Sequence, residues 1–256
     1  METAWLCLFA LIAGFVDSVV GGGGLIQLPA LLLFLPAGAS QDLADVLGTN
    51  KAASIWGTGM AVLQYAPRVR INWSTILPAA ATAFVFAFLG SLAVAHLDRT
   101  FLEPLILVLL VAVTLYTFFK PDLGDLHAPA LTPRRARGLG LVVGVALGFY
   151  DGFFGPGMGS FLIFIFVGVF GLDFLRASAS AKVVNFATNL AALLLFASTG
   201  HVLYRVALPM AACQIAGSIA GVRLAMLKGN RFVRVVFLVV AMALIMKFGW
   251  DVAAGK

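Results

Sequence analysis

Residues 13–25 read Ala13-Gly14-Phe15-Val16-Asp17-Ser18-Val19-Val20-Gly21-Gly22-Gly23-Gly24-Leu25, and residues 148–157 read Gly148-Phe149-Tyr150-Asp151-Gly152-Phe153-Phe154-Gly155-Pro156-Gly157. Each is an apolar run that carries a single acid and then meets a cluster of glycines. Glycine accepts positive φ and proline cannot donate an intrahelical hydrogen bond. Both stretches therefore predict a helix interrupted about one turn after its aspartate. Backbone groups freed by a break survive in hydrocarbon only where protein or a water-filled cavity satisfies them. A helix that restarts after the break aims its first N–H groups, and its positive dipole end, at one spot, which suits an anion. On this ground Gly22, Gly23 and Gly157 are candidate substrate-lining positions. The competing reading is a tight hairpin packed by small residues, for which Gly140, Gly144 and Gly148 have the usual spacing. A nucleotide-binding loop fits poorly, because no strand precedes either cluster and no Gly-Lys-Ser/Thr follows.

Composition says what surrounds these breaks. Of 256 residues, 62% are hydrophobic and 11% charged, against roughly 25% charged in a soluble domain. The mean hydropathy is +1.04. That much apolar surface cannot be hidden in a water-soluble shell, so the chain reads as an all-α integral membrane protein, a polytopic helical bundle. Disorder, a disulfide scaffold and nucleic-acid binding are excluded, and the isoelectric point of about 9.7 is explained by basic loops on one side of a membrane. Cys7 and Cys213 lie in apolar runs and read as packing residues. The start, Met1-Glu2-Thr3, has no basic region before its apolar run and reads as a retained membrane segment.

Crossing a hydrocarbon core of ~30 Å takes about 20 helical residues. Ten helical segments are expected, at 4–20, 25–36, 42–65, 72–96, 101–119, 138–154, 159–171, 173–198, 203–227 and 232–249. Segments 25–36 and 159–171 are short for a crossing. The polar stretch 120–137 has linker composition and divides the chain into a first membrane repeat, 1–119, and a second, 138–256. The break motifs are 134 residues apart; further on the shift is 131, pairing Asp42 with Asp173, Lys51 with Lys182, Pro78 with Pro209, Gly90 with Gly221 and Phe101 with Phe232. Five segments per half is an odd number, so the second copy would be inverted in the membrane, a plan found in many secondary transporters. Loop charge favours it: with the linker inside, Lys120, Arg134, Arg135, Arg137, Arg68, Arg70, Lys228 and Arg231 are all inside, and Asp42 and Asp45 are outside. A parallel repeat, with each broken pair crossing once, would turn Lys228, Arg231 and Arg234 outward.

Lys51 and Lys182 each follow an aspartate by nine residues. If Asp42 and Asp173 start their helices, each lysine Cα sits roughly 13 Å along the axis, near mid-membrane. Ser54 and Thr58 follow Lys51 at i+3 and i+7, and Asn185 and Asn189 follow Lys182 at the same offsets, which places them on one face. Two such faces predict a polar cavity; the alternative is a pair of lysines snorkelling to the interface. Asp17 and Asp151 then have two readings. They neutralise the lysines as structural ion pairs, or their protonation frees the lysines for an anion and couples anion movement to protons. Arg205, Arg223, Lys247, His96 and His201 fall near segment ends, and no group of His, Cys, Asp and Glu has metal-ligand spacing. Gln27, Gln64 and Gln214 line a path or bridge helices. Gly217 and Gly221 fit close helix packing or a homodimer interface.

The doubled Gly-Phe-x-Asp…Gly-rich element, together with Thr49-Asn50-Lys51, resembles the TauE/SafE (toluenesulfonate uptake permease) family, over both halves of the chain. The resemblance implies a multi-pass transporter of the bacterial plasma (inner) membrane without ATPase domains or cofactors, associated with export of sulfite, sulfoacetate or other organosulfur anions. It implies a small anionic substrate that Lys51 and Lys182 could hold. Family descriptions count about eight spans, against the ten segments read here. The expectation is a secondary transporter and not an enzyme; an anion channel, or a carrier of another anionic metabolite, is the alternative.

Overall fold

In the computed structural model, residues 2–35, 43–93 and 131–253 are described. The expected segment 101–119, Asp42, His96, Phe101 and most of the linker lie outside them, as does the side chain of Lys247. The described residues form eight helices and no strand. These are α1 (Glu2–Val20), α2 (Gly23–Phe34), α3 (Leu43–Tyr65), α4 (Trp73–Ala93), α5 (Pro133–Phe153), α6 (Met158–Gly168), α7 (Phe174–Ser198) and α8 (Tyr204–Ala253). Gly229, at φ +70°, breaks α8 into two arms, close to the gap expected between 227 and 232. The start of α5 lies five residues before the expected 138, because Pro133 occupies the first helical turn, where its missing N–H costs nothing. The arginines Arg134, Arg135 and Arg137 thus belong to the helix and not to the linker.

Among the described residues, five helices are long and apolar enough to cross a membrane: α1, α4, α5, α7 and α8 up to Val240. Their outward faces carry large apolar side chains such as Trp5, Leu77, Val85, Val142, Leu194, Leu208 and Val239, as a lipid-facing surface requires. The apolar helices α2 and α6, of 12 and 11 residues, are shorter than a full crossing needs; α2 turns back along α1, so that Phe34 near its end stacks on Trp5 and Phe9 near the start of α1.

Glycine stripes set the closest helix contacts. On α5, Gly140, Gly144, Gly148 and Gly152 meet Thr75, Ala79, Ala83 and Ala87 of α4 in the same order, so the two helices run in the same direction. On α8, Gly217 and Gly221 meet Leu11, Phe15 and Ser18 of α1, also in order. That GxxxG face is therefore covered within the chain and is not where a second copy would dock. In contrast α3 and α7 run in opposite directions, with Gly48 beside Phe196 and His201 and Gly59 beside Phe186.

Two apolar clusters result. One gathers Tyr65, Val143, Phe166, Phe174 and Phe237; the other gathers Leu6, Leu31, Leu47, Phe196 and Met210. Along α3 and α7 the span between the clusters is polar, and it holds Lys51, Thr58, Lys182, Asn185 and Asn189.

Candidate functional site: a buried lysine–aspartate layer between two broken helices

Both predicted breaks are present. At the first, Gly21 takes φ +77°; at the second, Gly155 and Gly157 take +91° and +86°, backbone that only glycine adopts without strain. The helices that restart, α2 at its N-cap Gly22 and α6 at its N-cap Gly157, have no side-chain cap. In these first turns the Met158 N–H donates to the Gly155 carbonyl at 3.3 Å and the Leu25 N–H to that of Gly22 at 3.2 Å, and no side chain caps either start. The two tips touch: a Cβ on Gly21 would fall inside the backbone of Gly159, and Gly24 lies against Pro156.

The carbonyls freed at the tips are satisfied by side chains that sequence reading did not single out. Tyr65 donates to the Ser18 carbonyl at 3.1 Å, Ser178 to that of Val19 at 2.7 Å, and Ser160 to that of Val20 at 2.9 Å. Across the way, the Tyr150 hydroxyl donates to the Pro156 carbonyl at 2.8 Å. A signal for two of them was available. Tyr65 lies seven residues beyond Thr58, and Ser178 four before Lys182, so each extends the polar stripe of its own helix.

The lysines meet the aspartates in a crossed arrangement. Lys182 Nζ lies 3.0 Å from Asp17 Oδ2, and Lys51 Nζ lies 3.0 Å from Asp151 Oδ1. Each pair joins one half of the chain to the other. Asp173 caps α7, accepting from the Arg176 N–H at 2.8 Å, which fixes Lys182 at the depth that helix rise predicts. Lys51 also donates to Asn189 Oδ1 at 3.1 Å, Asn189 Nδ2 donates to Thr58 Oγ1 at 3.4 Å, and the Thr58 hydroxyl lies 3.4 Å from Asp17 Oδ2. One chain of polar contacts thus runs Asp151–Lys51–Asn189–Thr58–Asp17–Lys182. Lys182 is fully buried, and Lys51 and Asp151 are 4% and 2% exposed. Neither lysine snorkels. Asp151 Oδ2 is buried with no hydrogen-bond partner.

The remaining candidates are placed less centrally. Ser54 and Asn185 stand on the same faces, but the hydrogen bonds they accept run to their backbone carbonyls, from Thr58 and Thr188. Gly23 packs against the Asp17 side chain, Gly22 lies near Val16 and Val240, and Gly157 faces Leu25. It is Gly155 that stands beside the Lys51 amine and the Asp151 carboxylate. Gln27 and Gln214 bridge helices: Gln214 donates to Gln27, and Gln27 donates to the Asn50 carbonyl at 3.3 Å. Gln64 donates back to Met60 within its own helix.

A doubled Gly-rich break with a paired lysine and aspartate on each side is the feature through which this sequence resembles a transporter family. The model of the family described as "Sulfite exporter TauE/SafE" matches residues 6–248. The chain belongs to that family. Among curated TauE/SafE-type relatives, the "Probable membrane transporter protein ORF9" of Sinorhizobium sp is 38% identical over 94% of this chain and 90% of its own length. A "Probable membrane transporter protein" of Haemophilus influenzae is 34% identical, over 94% of this chain and 91% of its own. The "Probable membrane transporter protein YfcA" of Escherichia coli K12 is also 34% identical, over 96% and 89%. No solved structure matches the chain at a significant level. The TauE/SafE membership and the apolar helices together make this a multi-pass membrane protein of a transporter family.

Proposed function

We propose that this chain is a secondary carrier that exports a small oxyanion, sulfite or an organosulfonate, across the bacterial inner membrane, with protons coupled through Asp151 and Asp17. The crossed, buried Lys51–Asp151 and Lys182–Asp17 pairs, set where two uncapped helix starts meet, carry this reading. The family description favours sulfite and export. Two lysines cannot hold an anion while each is neutralised by a carboxylate. Protonation of the carboxylates releases two ammonium groups that face each other through Asn189 and Thr58, with helix N–H groups close by. The unpartnered Asp151 Oδ2 is the natural oxygen to receive that proton.

The occlusion of the layer favours a carrier over a channel, since a fully buried Lys182 meets solvent only after the halves move. The antiparallel course of α3 and α7, and the crossing of both ion pairs between halves, support an inverted repeat whose copies rock about this layer. The basic end, with Arg70, Pro133 and Arg176 around one cavity, would face the cytoplasm.

The test separates an ion pair that only holds the fold from one that works. Removing one member of a buried pair costs roughly 3–5 kcal/mol, whereas replacing both members with neutral groups is often harmless. Lys51→Met with Asp151→Asn is expected to keep the wild-type melting temperature in detergent and to lose anion flux in proteoliposomes. Full flux in this double variant would make the pair structural and remove the proposed site.

A further inference from the structure

The repeat register pairs Asp45 with Arg176, His201 with Arg70, Thr49 with Ser180, and Leu203 with Asn72, each 131 residues apart. These eight residues sit at the two ends of the bundle, and the ends differ. At one end His201 Nδ1 lies 2.8 Å from Asp45 Oδ1, and the Leu203 N–H donates to Thr49 Oγ1 at 3.0 Å. Gly48 makes this contact achievable, because a Cβ there would collide with the His201 carbonyl. That end is sealed. At the other end the counterpart of Gly48 is Ala179, fully buried, a residue that carries the Cβ Gly48 lacks. The counterparts of the Asp–His pair are two cations, which repel. Arg70, Asn72, Arg176 and Ser180 line a cavity of about 650 Å³.

Several features make this cavity suited to an anion. Arg70 is exposed and enters no ion pair among the described residues. Arg176 gives only its Nε–H to Asp173, at 3.2 Å, and its terminal nitrogens carry four more donors. Thr75, on the same wall, has a buried hydroxyl with no hydrogen-bond partner. Guanidinium groups bind planar and tetrahedral oxyanions through paired N–H donors. Ser180 is two residues from Lys182, about 3 Å of helix rise, but on the opposite side of α7, so the cavity is distinct from the lysine layer.

We propose that this cavity is a second oxyanion site, held by Arg70 and Arg176, which captures the transported anion at the open end of the carrier. The anion-carrier reading supplies the identity of the ligand; the site itself stands on the cavity and its two arginines. Closure of this end would bring the anion between the arginines in place of the acid that seals the other end.

The experiment is equilibrium binding of labelled sulfite to the full chain in phosphatidylcholine nanodiscs. At acid pH, where protonation of the aspartates frees the lysines, wild type is expected to bind two anions per chain, and Lys51→Ala/Lys182→Ala one. Arg70→Gln weakens that remaining site about tenfold, the worth of one charge-assisted hydrogen bond. Arg70→Glu abolishes it, because the new carboxylate pairs with Arg176 and rebuilds the seal. Arg70 is exposed and enters no ion pair among the described residues, so neither change threatens the fold. Binding unchanged in both Arg70 variants would overturn the proposal while leaving the lysine site standing. Loss of the arginine-dependent site in phosphatidylglycerol nanodiscs would assign the cavity to a lipid headgroup, which also overturns it. Wild-type protein that neither binds nor transports sulfite would overturn the sulfite-carrier reading together with it.

Discussion

The two buried ion pairs look equivalent by sequence and are not equivalent in structure. Asp17 faces two donors, with Lys182 Nζ at 3.0 Å and the Thr58 hydroxyl at 3.4 Å from the same oxygen. Its side chain retains 13% exposure. Asp151 meets Lys51 through one oxygen and leaves the other buried and without a partner. Two donors thus converge on one Asp17 oxygen near solvent, whereas a dry Asp151 oxygen is left without a donor. The difference teaches that a duplicated motif need not give duplicated environments: one copy shares a carboxylate oxygen between two donors, and the other leaves an oxygen buried and unmatched.

Breaking either pair at its lysine should have the largest effect. Lys51→Ala and Lys182→Ala are each expected to lower flux below detection in proteoliposomes and also to lower the melting temperature, whereas Lys51→Met/Asp151→Asn loses flux alone. Normal flux in both would remove the site. The next effect sharpens the comparison itself. If protonation of Asp151 releases Lys51, wild-type flux rises as pH falls on the loading side. Asp151→Asn and Asp17→Asn should each flatten that pH profile, Asp151→Asn the more strongly. Identical profiles in the two variants would show that the acids are not specialised.

A smaller effect separates contact from strain at the glycine breaks. Gly21→Ala combines φ +77° with a collision against Gly159, whereas Gly200, at φ +81°, has no neighbour within 4 Å. Gly200→Ala is expected to cost about 1 kcal/mol, the strain alone, and Gly21→Ala clearly more, read as thermal unfolding in detergent. Equal costs would mean that the tips do not press on each other. Smallest is Tyr65→Phe, which leaves the Ser18 carbonyl only the longer bond from Ser178 at 3.4 Å and should cost about 1 kcal/mol at most. An unchanged melting temperature would make that hydrogen bond dispensable.

Much of this was legible in the sequence because the membrane narrows the options. Glycine clusters inside apolar runs can only be breaks, and Gly21 and Gly155 do take left-handed φ. The offsets of Thr58 from Lys51 and Asn189 from Lys182 put each pair on one face, and the structure joins Lys51, Asn189 and Thr58 in one network. What the spacing did not contain was which lysine faces which aspartate. That depends on how the two halves dock, and docking is written in glycine stripes on α5 and α8 whose partners lie far away in sequence. The same holds for Gly155, which sits beside Lys51 only because the second tip packs against α3. Ser160 was missed because nothing local marks a serine whose bond runs to the Val20 carbonyl, 140 residues away. The start of α5 was missed for a local reason, since Pro133 reads as linker composition when it is in fact a first-turn residue.

The most direct test of the central claim is uptake of labelled sulfite into proteoliposomes, with and without an imposed proton gradient, beside the Lys51→Ala/Lys182→Ala variant. The predicted result is saturable flux that responds to the gradient in wild type and is absent from the variant. Saturable flux that persists in the variant would contradict the assignment of these two lysines as the site where the anion is held.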